Sequence, residues 1–144
     1  MKRLLVPVLA LAVLTQACGS VGGKTATISI KGRPLEVELA RTKRQRARGL
    51  MNRAALDRDR GMLFMFREEE HLSFWMKDTS IPLTIAFLDS EGVVVDIYDM
   101  EPYDLEPVRS SRKCRYAIEV NRGFFQKAGL SEGDSIDLSV VAKR

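Results

Sequence analysis

Beyond Gly23, apolar and polar residues alternate with a period of two through most of the chain. Thr25-Ala26-Thr27-Ile28-Ser29-Ile30 and Leu35-Glu36-Val37-Glu38-Leu39 flank Lys31-Gly32-Arg33-Pro34, which predicts two half-buried strands joined as a hairpin. Four further strands are expected over residues 61–66, 72–77, 84–88 and 93–98. The last two enclose Asp89-Ser90-Glu91-Gly92, whose closing glycine suits a type I turn with a bulge. Alternation resumes over 115–120, and a final strand is expected over 135–141.

Helical spacing interrupts this pattern twice. Thr42 with Gln45 three residues later makes a capping box, behind which Ala47, Leu50, Met51 and Ala54 fall on one helical face. Gly49 predicts that this helix is short. Asn121 is placed to cap a second short helix running to Lys127 and stopped by Gly129. Residues 99–108 carry four acids and two prolines and read as a loop. About eight short strands with two short helices predict a mainly β fold of α+β type, a compact sandwich or barrel.

The N-terminus obeys a different pattern. Lys2 and Arg3 precede an apolar run over residues 4–14, and Leu14-Thr15-Gln16-Ala17 leads to Cys18. The run is too short to span a bilayer and reads as an export signal. A cysteine directly after a small residue resembles the lipobox of bacterial lipoproteins, in which the thiol is acylated before cleavage. The expected organisation is a signal peptide at 1–17, a lipidated cysteine and flexible tether at 18–23, and one domain at 24–144. Gly19-Ser20-Val21-Gly22-Gly23 would reach only roughly 12 Å. The protein is thus expected to be exported and held by Cys18 acylation on the periplasmic or outer side of a bacterial membrane, its domain close to the lipid surface.

Composition limits what this domain can be. Its 144 residues, 45% hydrophobic and 29% charged, suffice for one domain with a real core and not for two. The formal charge of +4 includes Lys2 and Arg3, so the processed chain is nearer +2, too mild to imply nucleic acid. With Cys18 acylated, Cys114 has no intramolecular partner. Tyr116, Ile118 and Val120 follow it at spacing two, which points to a buried, unreactive thiol.

Several short motifs carry a family resemblance. "RGLM" at Arg48 with Arg53 after it, "GMLFMF" at Gly61, "FWMKDTSIPL" at Phe74, "DSEG" at Asp89 and "YAIEV" at Tyr116 resemble, in this order and spacing, the bacterial and archaeal family called domain of unknown function 192. The resemblance covers roughly residues 25–141. It implies a compact, mainly β domain, often exported or lipid-anchored, with no established reaction. Two positions depart from the family's pattern: Asp78 stands where relatives usually carry Asn, and Thr84 where they usually carry Asp.

The densest chemistry lies between the chain's only histidine, His71, and Asp89. If residues 72–77 are extended, Leu72, Phe74 and Met76 share a core face, and Ser73, Trp75 and Lys77 share the other. Trp75 either covers a core edge or offers a stacking platform. Asp78 and Thr79 suit the end of a strand, where small oxygen-bearing side chains bond to backbone groups, and Pro82 keeps Ile81 extended. Upstream, Arg41, Lys43, Arg44, Arg46, Arg48, Arg53, Arg58 and Arg60 share a segment whose acids are Asp57 and Asp59, a net +6. Arg44 and Arg48 would line one helix side while Ala47, Leu50 and Met51 face inward. Such a face either pairs with the acidic loop at 99–106 or touches an anionic surface, where each cation adds about 1 kcal/mol.

Metal binding finds little support, because Met62 and Met65 on one strand face opposite ways and His71 has no second histidine. No cofactor is expected. Hydrolysis would require Asp78 and Glu119, with His71 in support, to converge in one pocket. The sequence favours binding over catalysis: Arg48, Arg53, Trp75, Lys77 and Asp78 are the candidate surface for an anionic or carbohydrate-like envelope ligand.

Overall fold

A computed structural model describes residues 23–142. The expected signal peptide, Cys18 and the tether up to Gly22 lie outside the described residues. Among the described residues the structure shows the mainly β class with eight short strands, accompanied by three short helices where two were expected. Six strands build one open sheet, β1 (Thr25–Ile30), β2 (Arg33–Ala40), β3 (Arg60–Glu70), β5 (Leu83–Leu88), β6 (Val94–Met100) and β8 (Cys114–Asn121), in the order β1-β2-β3-β8-β5-β6. β4 (Ser73–Phe74) and β7 (Val108–Arg109) form a separate two-stranded ribbon. All pairings in the large sheet are antiparallel except β2 with β3. Their crossover contains the first helix, α1 (Lys43–Arg48).

The first hairpin turns on Lys31 and Gly32, both at positive φ, with Ile30 opposite Arg33. Such a two-residue turn matches the right-handed twist of its strands. At the β5–β6 hairpin, Asp89 Oδ1 accepts from the amides of Glu91 and Val93, Gly92 takes φ 81°, and the register shifts at Leu88. This is the expected turn with a bulge.

Alternation along the strands divides the core between the two faces of the sheet. On the first face Ile28, Val37, Leu63, Ile118 and Ala86 meet α2 (Phe124–Ala128), α3 (Ser139–Ala142) and the C-terminal segment. On the second face Met62, Phe64, Ala117, Ile85 and Phe87 meet Leu50 and the segment from Leu72 to Ile81. Cys114 is fully buried, as its neighbours predicted, and burial, followed by the charge of Asp96, pushes its thiol up to about 11. Thr84 donates to Asp99 and accepts from the Gly123 amide, stitching β5 to β6 and to the entry of α2.

Several expected elements form differently. Only two residues of 72–77 pair as a strand, because β7 offers just Val108 and Arg109; beyond them the Met76 amide donates to Asp104 and the chain turns. Burial still alternates, with Leu72 and Met76 inside and Ser73 and Lys77 outside. The expected last strand is reduced to one bridge between Ser135 and Val93, after which Asp137 accepts from the Ser139 amide and α3 begins. Asn121 does not cap α2. Gly123 occupies that position, and the Asn121 amide donates instead to the carbonyls of Leu56 and Asp57.

Candidate functional site

The second face of the sheet is not completely covered. Between α1 and the β4 segment lies a pocket of about 360 Å³. Its floor comes from the sheet: Phe64 of β3, Glu119 of β8 and Leu83 of β5. One wall is aromatic. Phe74 is wedged edge-on against Phe64 at 4.8 Å and packs against Phe66 and Phe87 at 6.5 and 5.8 Å, which fixes β4 to the sheet. Trp75 continues this wall at 48% exposure, with the Lys77 ammonium 5.5 Å from its ring centre.

The opposite wall is α1 and the turn after it. The predicted capping box is present: the Gln45 amide donates to Thr42 Oγ1, and Gln45 Oε1 accepts from the Thr42 amide. After only six helical residues, Gly49 ends the helix at φ 49° and ψ −133°, a conformation that disfavours any side chain. This early stop breaks the helical period. Ala47 is therefore exposed at the pocket rim, Met51 is half-buried, Ala54 is exposed, and Leu50 alone of the expected inward face is buried.

The cations of this segment are divided between structure and pocket. Arg46 is committed to structure: it donates to the carbonyls of Arg41 and Met65 and stacks over the Phe66 ring at 4.6 Å. Arg53 grips Glu38 through two parallel hydrogen bonds, one of 2.8 Å, and this pairing pulls the Glu38 carboxyl below its ordinary range. Arg60 pairs with Glu36 and Arg33 with Asp59. These acids belong to β2 and to the segment before β3, so the expected pairing with the acidic loop at 99–106 is replaced by carboxylates of the neighbouring β2 and of the connection itself. Lys43 and Arg48, both exposed, make no ion pair among the described residues and stand at the pocket mouth. Arg48 and Gly49 also border a narrower groove of about 110 Å³, shared with Gly23, Glu38 and Arg53.

Glu119 is the unusual group. It faces Met62 on one side and Ile85 on the other across the sheet and is only 4% exposed. Neither a counter-ion nor a hydrogen-bond donor within the described chain approaches it, and burial alone pushes its carboxyl up to about 8. Burial thus favours the protonated form of an unpartnered acid at the bottom of an apolar pocket.

The structure gathers some of the residues singled out from the sequence and separates others. Arg48 and Trp75 line the pocket, Lys77 backs Trp75, and Arg53 belongs to the adjoining groove. Asp78 is exposed at φ 53° in the turn after Met76, and its carbonyl accepts from the Asn52 amide. That left-handed conformation suits Asp or Asn, which accounts for the residue relatives carry there. Asp78 and exposed His71 do not line the pocket that holds Glu119. The convergence required for hydrolysis is therefore not present. Met62 and Met65 do face opposite sides. Sequence reasoning missed Lys43, Phe66 and Phe74 as pocket residues, because the opening they share is created by tertiary packing of β4 on the sheet beside α1.

Comparison with known proteins places this arrangement in a family. The family model for domain of unknown function 192, described as an uncharacterized ACR, matches residues 26–138. No curated protein matches the chain. Among solved structures, a protein from Sinorhizobium meliloti 1021 named a "putative transcription regulator" is 34% identical, with a TM-score of 0.75, over 83% of this chain and 97% of its own. A protein of unknown function from Novosphingobium aromaticivorans DSM 12444 is 32% identical, with a TM-score of 0.72, over 78% of this chain and 83% of its own.

Proposed function

The chain belongs to the family of domain of unknown function 192, and from that premise we propose that it is a lipid-anchored binding domain of the cell envelope. Its pocket would hold a small anionic amphiphile, with the apolar body against Phe74 and Trp75 and the anion at Lys43 and Arg48. The observation that carries this reading is Glu119: a buried acid without a partner costs stability, and a polar group at the bottom of an apolar pocket is the usual design of a ligand site. A carbohydrate ligand has less support, since the surface of the pocket is chiefly apolar. The regulatory name of the Sinorhizobium relative is not extended to this chain: α1, the longest helix described, has six residues, too short for a helix that reads a DNA groove.

Trp75 is the only tryptophan and lines the pocket, so its emission reports occupancy directly. Titration of the full-length protein with octanoate is expected to change Trp75 fluorescence saturably, and Lys43→Glu with Arg48→Glu to weaken the response about tenfold or more. Lys127→Glu, on α2 at the other face, should leave it unchanged. A response to octyl glucoside alone would transfer the site to a sugar; no response to either compound would overturn the pocket as a binding site.

A further inference from the structure

Building on that pocket reading, we infer that Glu119 selects the ligand: as a neutral acid it donates a hydrogen bond to an uncharged oxygen at the inner end of a molecule whose outer end is anionic. The class is therefore an apolar body of limited length with an anion at one end and a carbonyl or similar acceptor at the other.

The argument begins with what surrounds the carboxyl. Met62 and Ile85 flank it within the sheet, and Phe64 and Leu83 share the floor. None of these can accept or donate strongly, so the unmet bond has to be made with something that enters the pocket. Two polar side chains of the walls are already engaged. Thr79 donates its hydroxyl to the Lys77 carbonyl, and Arg46 is spent on two carbonyls and the Phe66 ring.

A second way to satisfy a buried carboxyl is to ionise it against a ligand cation, and the charges around the pocket disfavour that route. The titratable groups that line it are Lys43, Arg46 and Arg48 on α1 and Glu70 at the end of β3; β5, the β4 ribbon and the turn at 76–79 contribute none. Three cations against one acid repel an entering cation and attract an entering anion. Burial is what holds Glu119 protonated, with no contribution from those cations. An acceptor can therefore bind without paying to ionise the acid, whereas an amine has to pass a positive mouth and then drive that ionisation.

Three matched probes separate the alternatives on the full-length protein: octanoate, 7-oxooctanoate, which adds an inner acceptor, and 8-aminooctanoate, which adds an inner cation. By calorimetry at pH 6.5, 7-oxooctanoate is expected to bind about tenfold more tightly than octanoate. That preference should fade at pH 9.5, where Glu119 has lost its proton. It should persist at both values in Glu119→Gln, which keeps a neutral donor, and vanish in Glu119→Leu, which does not. Melting temperatures of both variants identify any loss caused by unfolding. If octanoate and 7-oxooctanoate bind equally, this inference fails while the pocket reading stands. Tightest binding of 8-aminooctanoate overturns it in favour of an ionised Glu119. Absence of binding by all three overturns the pocket reading and this inference together.

Discussion

At the scale of single residues, the chemistry of this protein depends on one misplaced charge. Glu119 interrupts the alternation of Tyr116, Ile118 and Val120 from the opposite side of β8, so the sequence does show an acid on a strand whose other face is core. What it does not show is that the opposite face is covered too, which is what turns an ordinary glutamate into a neutral one. An acid with an unfolded value near 4.5 and a folded value of about 8 stabilises the folded state fully only below about pH 4.5. As pH rises from there to about 8 the unfolded chain releases its proton first, and stability falls. Glu119→Gln removes the titration, so its stability relative to the wild type should rise by on the order of a few kcal/mol between pH 4.5 and pH 9, with a correspondingly higher relative melting temperature at pH 9. Thermal scans across that range check this, and parallel curves for the two proteins would show that Glu119 ionises freely. Glu38, held low by Arg53, gives the opposite slope, with a contribution lost only as pH falls below the ordinary carboxylate range, so the two effects occupy different windows.

At the scale of elements, local signals succeed where the chain closes its own hydrogen bonds. The Thr42–Gln45 capping box, the Lys31-Gly32 turn and the Asp89 turn use partners within a few residues, and all three were legible. The failures are elements whose partners lie far along the chain. Residues 72–77 have strand character, but strand length is set by β7, which supplies two pairs. Residues 135–141 alternate as a strand should, yet Leu138 and Val141 reach the core without a ladder, because backbone pairing with Gly92, Val93 and Val94 stops at Ile136. Alternation of burial outlived the loss of the strand around β4, and this is testable. Met76 is 2% exposed in the core of the second face while Lys77 is exposed beside Trp75. Met76→Asp should unfold the domain or cost on the order of 4 kcal/mol, whereas Lys77→Asp should stay within about 0.5 kcal/mol. Chemical denaturation measures both, and equal losses would mean that the two side chains do not occupy opposite faces.

At the scale of the whole molecule, the second face of the sheet opens to the pocket that holds Glu119, and the position of Gly23 relates that pocket to the expected anchor. Gly23 borders the groove that also contains Glu38 and Arg53 and shares Arg48 and Gly49 with the pocket. If Cys18 carries lipid, a tether of roughly 12 Å keeps this side of the domain near the bilayer, where an amphiphile can pass from membrane to pocket without crossing bulk water. No helix among the described residues is long and apolar enough to cross a membrane, so membrane attachment in this reading rests on the segment before Gly23. Cys18→Ala should therefore shift the protein from the detergent phase to the aqueous phase on partitioning, or leave it unprocessed with residues 1–17 still attached. Mass spectrometry of wild-type protein should find the chain beginning at Cys18 and heavier than its sequence by the acyl groups. A Cys18→Ala protein that stays in the detergent phase with an ordinary processed mass would remove the anchor from this account; the pocket and its buried acid, which lie wholly within residues 43–119, would still have to find their ligand in solution.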